Sequence, residues 1–154
     1  MTPPLRRLLP AVALLVLGGL GGCDQGGVVE DRPRGPGPLV SGLVVQPDSV
    51  NAADLPPQQV QDSLAQVAVR LQARATDPGG TVERVQFTLE PSSNPRGTAT
   101  GVLERAEDSL FAAQLGLRVP VNRTEVYTVR VFAVDDDSLA SNQALGQFQF
   151  VSAP

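Results

Sequence analysis

Val67-Ala68-Val69-Arg70-Leu71-Gln72-Ala73-Arg74-Ala75 is the stretch that decides the fold. Val67, Val69, Leu71, Ala73 and Ala75 fall on one side of an extended chain and Arg70, Gln72 and Arg74 on the other, the period of two that marks a half-buried strand. Asp77-Pro78-Gly79-Gly80 then forces a turn, since Pro fixes φ and Gly tolerates conformations other residues avoid. A second strand follows, with Val85, Phe87 and Leu89 inward and Arg84, Gln86, Thr88 and Glu90 outward. Pro91-Ser92-Ser93-Asn94-Pro95 closes it.

The same alternation recurs on both sides of this pair. Downstream, Thr98–Leu103 reads as a short edge strand and Glu104–Asp108 as a polar turn. Phe111, Ala113 and Leu115 alternate again, and Pro120–Thr124 makes another turn that takes in the sequon-like Asn122-Arg123-Thr124. Val126–Val134 is the strongest late strand. It carries Tyr127, Val129, Val131 and Ala133 on one face, which leaves Arg130, Phe132 and Val134 outward. Asp135-Asp136-Asp137-Ser138 ends it, and Ala144–Val151 supplies a last strand through Phe148 and Phe150. Upstream, Val40–Val45 is a first strand. Residues 46–66 show no clear period, and Val60–Val67 reads as a helical turn whose start Pro56 and Pro57 limit. Seven short strands with almost no helix signal predict an all-β, seven-stranded antiparallel β-sandwich over residues 39–154.

Three segments carry a family likeness: Ala75-Thr76-Asp77-Pro78-Gly79-Gly80, Val82-Glu83-Arg84-Val85-Gln86-Phe87, and Tyr127-Thr128-Val129-Arg130-Val131-Phe132-Ala133-Val134-Asp135. Their order resembles bacterial immunoglobulin-like domains of the fibronectin type III and cadherin-like kind. The likeness implies a tyrosine corner at Tyr127, two residues before the position of the second cysteine of an antibody domain. The paired cysteines and the core tryptophan of antibody domains are missing, so the resemblance is to the broader sandwich class.

The N-terminus has the three parts of a targeting signal. Arg6 and Arg7 give a positive start, Leu8–Leu17 is apolar, and Gly18, Gly19, Leu20, Gly21 and Gly22 lead to Cys23. The apolar run is about half of the ~20 residues a membrane-spanning helix needs. Leu20-Gly21-Gly22-Cys23 resembles the lipobox of bacterial lipoproteins. That implies removal of a signal peptide (residues 1–22) and acylation of Cys23, the sole cysteine of the chain. More than one acyl chain makes such an anchor stable, because each buried CH₂ contributes ~0.8 kcal/mol. The next residue, Asp24, resembles the inner-membrane retention signal of enteric lipoproteins, though sorting rules differ between bacterial groups. Residues 24–38, DQGGVVEDRPRGPGP, are too rich in Gly, Pro and charge to build a core and read as a tether.

Composition narrows function. All twelve basic residues are arginine, and the mature chain keeps ten of them against sixteen acids. That balance speaks against nucleic acid and against electrostatic attraction to anionic lipid. Histidine and tryptophan are absent, so the commonest general base, the commonest transition-metal ligand and the best stacking platform are missing.

Asp77, Asp135, Asp136 and Asp137 are the one acidic constellation. The loops after the second and sixth strands of an immunoglobulin-like sandwich share an end, and clustered carboxylates suit Ca²⁺. The alternative is that these aspartates end strands by satisfying turn amides. Neither a cadherin nor an EF-hand calcium pattern is present. Paired acids also serve glycoside hydrolysis, but adjacent acids in one loop point apart. Arg70, Arg74, Arg84, Arg130, Gln72 and Gln86 read as a solvated sheet face or a polar interface for a protein partner.

The resulting expectation is a non-catalytic protein of the cell envelope, held on a membrane through lipid on Cys23 and binding or positioning another envelope protein. A second reading is a module for carbohydrate or another small ligand, with or without Ca²⁺.

Overall fold

The computed structural model describes residues 35–153. The expected signal peptide, the lipobox residues Leu20, Gly21, Gly22 and Cys23, and the tether up to residue 34 lie outside the described residues. Among the described residues, no helix is long and apolar enough to cross a membrane.

Among the described residues, nine strands make an all-β fold: β1 (Leu39–Gln46), β2 (Ser49–Asn51), β3 (Val60–Gln61), β4 (Leu64–Thr76), β5 (Val82–Pro91), β6 (Ala99–Glu107), β7 (Leu110–Pro120), β8 (Glu125–Asp135) and β9 (Ala144–Val151). The order across the sheet is β1-β4-β7-β6-β5-β8-β9-β2, with β3 beside β4. The sheet curls on itself, barrel-like, because β6 serves two partners. Its first part, Ala99–Leu103, pairs with β5, and its last part, Glu104–Glu107, pairs with β7. The sheet therefore has two halves facing each other, one around β1, β4 and β7 and one around β5, β8 and β9.

The longest ladder joins β4 to β7 without a break, from Leu64 opposite Pro120 to Arg74 opposite Leu110. The alternation that predicts β4 also predicts its inner face: Val67, Val69, Leu71, Ala73 and Ala75 are buried, with Arg70 and Arg74 exposed. Val85, Phe87 and Leu89 of β5, Val129, Val131 and Ala133 of β8, and Phe148 and Phe150 of β9 complete one core. Burying each aromatic contributes about 1.5–3 kcal/mol relative to leaving it in water. Phe87 gains its place at Gly101, its ladder partner on β6. A Cβ at Gly101 would stand 2.6 Å from two ring carbons of Phe87.

Three expectations are corrected. Among the described residues the strands number nine rather than seven, because β2 and β3 are too short to show a period; β3 pairs with the adjoining β4, and β2 runs parallel to the distant β9. Val60–Val67 holds no helical turn. Pro57–Gln59 forms a 3-10 turn instead, and the chain then enters β3 and β4. Glu104–Glu107 is strand rather than turn, because β7 supplies a second ladder partner. The turn shrinks to Asp108 and Ser109.

β1 is fixed from two sides. It pairs with β4, with a register shift between Ser41 and Val44. On its other side Asn142 stands in for a strand: its Oδ1 accepts from the Val40 N–H at 2.9 Å and its Nδ2 donates to the Val40 carbonyl at 2.9 Å. Before β1, Pro38 is fully buried and Gly35 and Pro36 lie against Gly79, so the last four residues of the expected tether rest on the domain.

Candidate functional site

The loops after β4 and β8 do share one end of the fold, as the sandwich reading expects. Asp136 ties them: its Oδ1 accepts from the Thr81 N–H at 3.1 Å and its own N–H donates to the Thr81 carbonyl at 3.1 Å. Asp77 closes its turn by accepting from the Gly79 N–H at 3.0 Å. A Cβ at Gly80 would stand 2.6 Å from Asp136 Oδ1 and 2.9 Å from Asp77 Oδ2, so the two carboxylates converge where glycine leaves room. Asp77 Oδ2 is buried and has no hydrogen-bond partner among the described residues.

The other two acids depart from the expected cluster. Asp135 is only 3 % exposed, and its Oδ1 accepts from the Leu139 N–H at 2.7 Å. Asp137 faces solvent. Among the described residues, no three His, Cys, Asp or Glu side chains stand where they could hold a metal ion. The physical reason is competition: turn N–H groups of Gly79, Thr81 and Leu139 take the carboxylate oxygens, as short acidic side chains at strand ends commonly arrange.

Arg105 brings positive charge to this end. Its guanidinium lies 4.6 Å above the Phe111 ring, donates to the Val82 carbonyl at 3.2 Å and also reaches the Asp108 carbonyl. A cation over an aromatic face adds about 0.5–1 kcal/mol at an exposed site.

The opposite end holds a charge that the sequence reading passes over. Glu125 is 2 % exposed. Its Oε1 accepts from Ser92 Oγ at 2.7 Å and from the Ser93 N–H at 2.9 Å. Its Oε2 accepts from Ser93 Oγ and faces Arg123 at 3.3 Å. Burial by itself pushes this carboxyl upward. The Ser93 and Ser92 hydroxyls, the Ser93 N–H and the Arg123 charge together outweigh burial and hold it below its ordinary range. Glu125 is in phase with Tyr127, Val129, Val131 and Ala133, and that phase is the signal that it points inward. The serines that satisfy it come from the turn after β5.

Tyr127 packs on Phe148, with ring centroids 5.7 Å apart and planes tilted by 32°. Burial raises the Tyr127 hydroxyl above its ordinary value, and the Glu125 charge adds to this. That hydroxyl finds no hydrogen-bond partner among the described residues, so the expected tyrosine corner is not formed with them.

The two outer sheet faces differ in chemistry. On the β5–β8 half, Gln86 stands between Phe132 and Val102 in the ladder, and Arg130 lies between Thr88 and Leu145. Val102 and Leu145 are 48 % and 63 % exposed, and Phe132 is half-buried. Val134, expected outward beside Phe132, is buried. The chain after β8 turns back alongside it, and Ala140 bridges to it. On the β4–β7 half the outward side chains are mainly arginine and glutamine, with Arg70, Gln72 and Arg74 in one row. Arg84 pairs with its neighbour Glu83. No known protein family matches the chain, and no curated protein is significantly similar to it.

Proposed function

We propose that the chain is the precursor of a lipid-anchored cell-envelope protein whose β domain binds or positions another envelope protein and has no catalytic role. The observation that carries the reading is the sole cysteine at the end of Leu20-Gly21-Gly22-Cys23, directly behind an apolar run too short to span a bilayer. We also propose that the domain is an immunoglobulin-like sandwich. In support, β1, β4, β7 and the end of β6 follow the order of the first, second, fifth and fourth strands of an immunoglobulin sheet, and β5, β8 and β9 follow that of the third, sixth and seventh. The patch for the partner is the outer face of β5, β8 and β9. There Phe132 and Leu145, with Val102 beside them on β6, offer apolar anchors among Gln86, Thr88 and Arg130, the composition of an interface core with a polar rim.

Two measurements test this. Cys23→Ser should move the protein from the membrane to the soluble fraction and abolish incorporation of labelled palmitate. A variant that stays with the membrane would end the anchor reading. A photocrosslinker at Leu145 should trap one specific envelope protein in cells, while the same group at Asn122, on the β7–β8 turn, should not. Equal yields at both positions would remove the assigned patch.

A further inference from the structure

We infer that the outer face of β4 and β7 carries a binding trough for an anionic saccharide, distinct from the apolar patch on the other half of the sheet. The long ladder of β4 and β7 places Ala68 opposite Gly116 in the middle of a face whose flanking pair, Gln66 and Arg118, is long. The methyl of Ala68 and the bare backbone of Gly116 beside that long pair leave a depression of about 600 Å³, walled on another side by Gln59 and Gln61 as the chain enters and forms β3. That volume lies within the ~300–1,000 Å³ of small-ligand sites.

The wall chemistry selects the ligand. Glutamine amides both donate and accept, which suits hydroxyls, and Arg118 presents the planar fork that grips a carboxylate or phosphate. Among the described residues, no carboxylate lies within ion-pair distance of Arg118 or of Arg70, one step along the face. Asp62, at the tip of the β3–β4 hairpin, is not part of the lining. The acid in register on this face, Glu104 opposite Ala112, stands on β6 and outside the lining, so in a chain of net negative charge Arg118 in the trough and Arg70 beside it complement an anion.

Other occupants fit less well. A protein partner needs apolar or aromatic anchors, and this lining offers none that projects outward. A neutral sugar needs a stacking platform, which is absent, so affinity must come from charge-assisted bonds. Single-stranded nucleic acid needs both a basic groove and stacked aromatics.

The test is calorimetric titration of the full chain in detergent with oligogalacturonate, with a phosphorylated mannan oligosaccharide, with neutral dextran oligosaccharide and with a DNA oligonucleotide. The expected result is saturable binding of one or both anionic saccharides, which also tells carboxylate from phosphate, with none for dextran or DNA. Arg118→Gln should weaken that binding at least about tenfold, as loss of charge-assisted bonds implies. Arg96→Gln, on the turn after β5, should leave it unchanged. Gly116→Val separates a shaped site from a mere charged patch. A Cβ there meets nothing within 4 Å, so the variant should fold with an undiminished melting temperature while filling the trough and abolishing binding. Binding that survives Gly116→Val, binding of DNA or dextran equal to that of the anionic saccharides, or no binding of either anionic saccharide would overturn the inference.

Discussion

Glu125→Gln removes a buried charge while keeping its shape, and its cost can be worked from the four groups around it. In the native protein Oε1 takes two hydrogen bonds and Oε2 takes one, beside the Arg123 guanidinium. The variant keeps an oxygen for the Ser92 hydroxyl and Ser93 N–H. Its amide nitrogen donates where Oε2 accepted: the Ser93 hydroxyl can turn to accept it, but Arg123 is left facing another donor. Three bonds fall from the charge-assisted range of about 1.5–3 kcal/mol to about 1 kcal/mol each. The Arg123 pair adds little, about 0–1 kcal/mol, because Arg123 is 54 % exposed. Against this, a neutral amide escapes the desolvation that burial imposes on the carboxylate. The net cost is about 1–3 kcal/mol at pH 7.

The pH dependence identifies the cause. The folded carboxyl titrates below its unfolded value of about 4.3, so its contribution is complete above that pH and fades as pH falls through the lower, folded value. Urea unfolding followed by circular dichroism should show wild type and Glu125→Gln separated at pH 7 and converging in acid. A gap that stays constant down the acid range would show that the cost lies in the amide's altered donor and acceptor pattern rather than in the lost charge, and would refute the reasoning.

Three further outcomes are expected. Asn142→Ala removes both bonds to the Val40 main chain and should cost about 1–3 kcal/mol; the Val40 amide should exchange faster by nuclear magnetic resonance, and unchanged exchange would dismiss the clamp. Gly101→Ala forces a methyl into the Phe87 ring and should cost about 1–3 kcal/mol in denaturant unfolding; an unaffected midpoint would mean that the ring shifts freely. Millimolar Ca²⁺ against chelator should leave the melting temperature within about 1 °C, since binding to the folded state alone would raise it; a rise of several degrees would make Asp77 and Asp136 ligands after all.

The strands that pair along most of their length are legible in the chain itself. β4, β5, β8 and β9 each bury one face against the core and wet the other, and a half-buried strand writes that period of two into its own residues. The same phase places Glu125 inward. What it does not supply is the partner. Ser92 and Ser93 lie 33 and 32 residues away, and only the meeting of the β5 and β8 ends brings them together.

β2 and β3 leave no such mark, for a related reason: three and two residues are too few to show a period, and their pairing follows from where β9 and β4 already lie. Glu104–Glu107 looks like a turn because strand character there comes from β7, reached when β6 passes from one half of the sheet to the other. Val134 pairs with Arg84 in the outward row, yet it is buried where the returning chain pairs beside it. By itself, the sequence determined the all-β class and the main core faces, because these depend on local periodicity. Tertiary structure decided which acids converge, which charge is buried and satisfied, and where small residues open a trough, because each is a meeting of residues far apart in the chain.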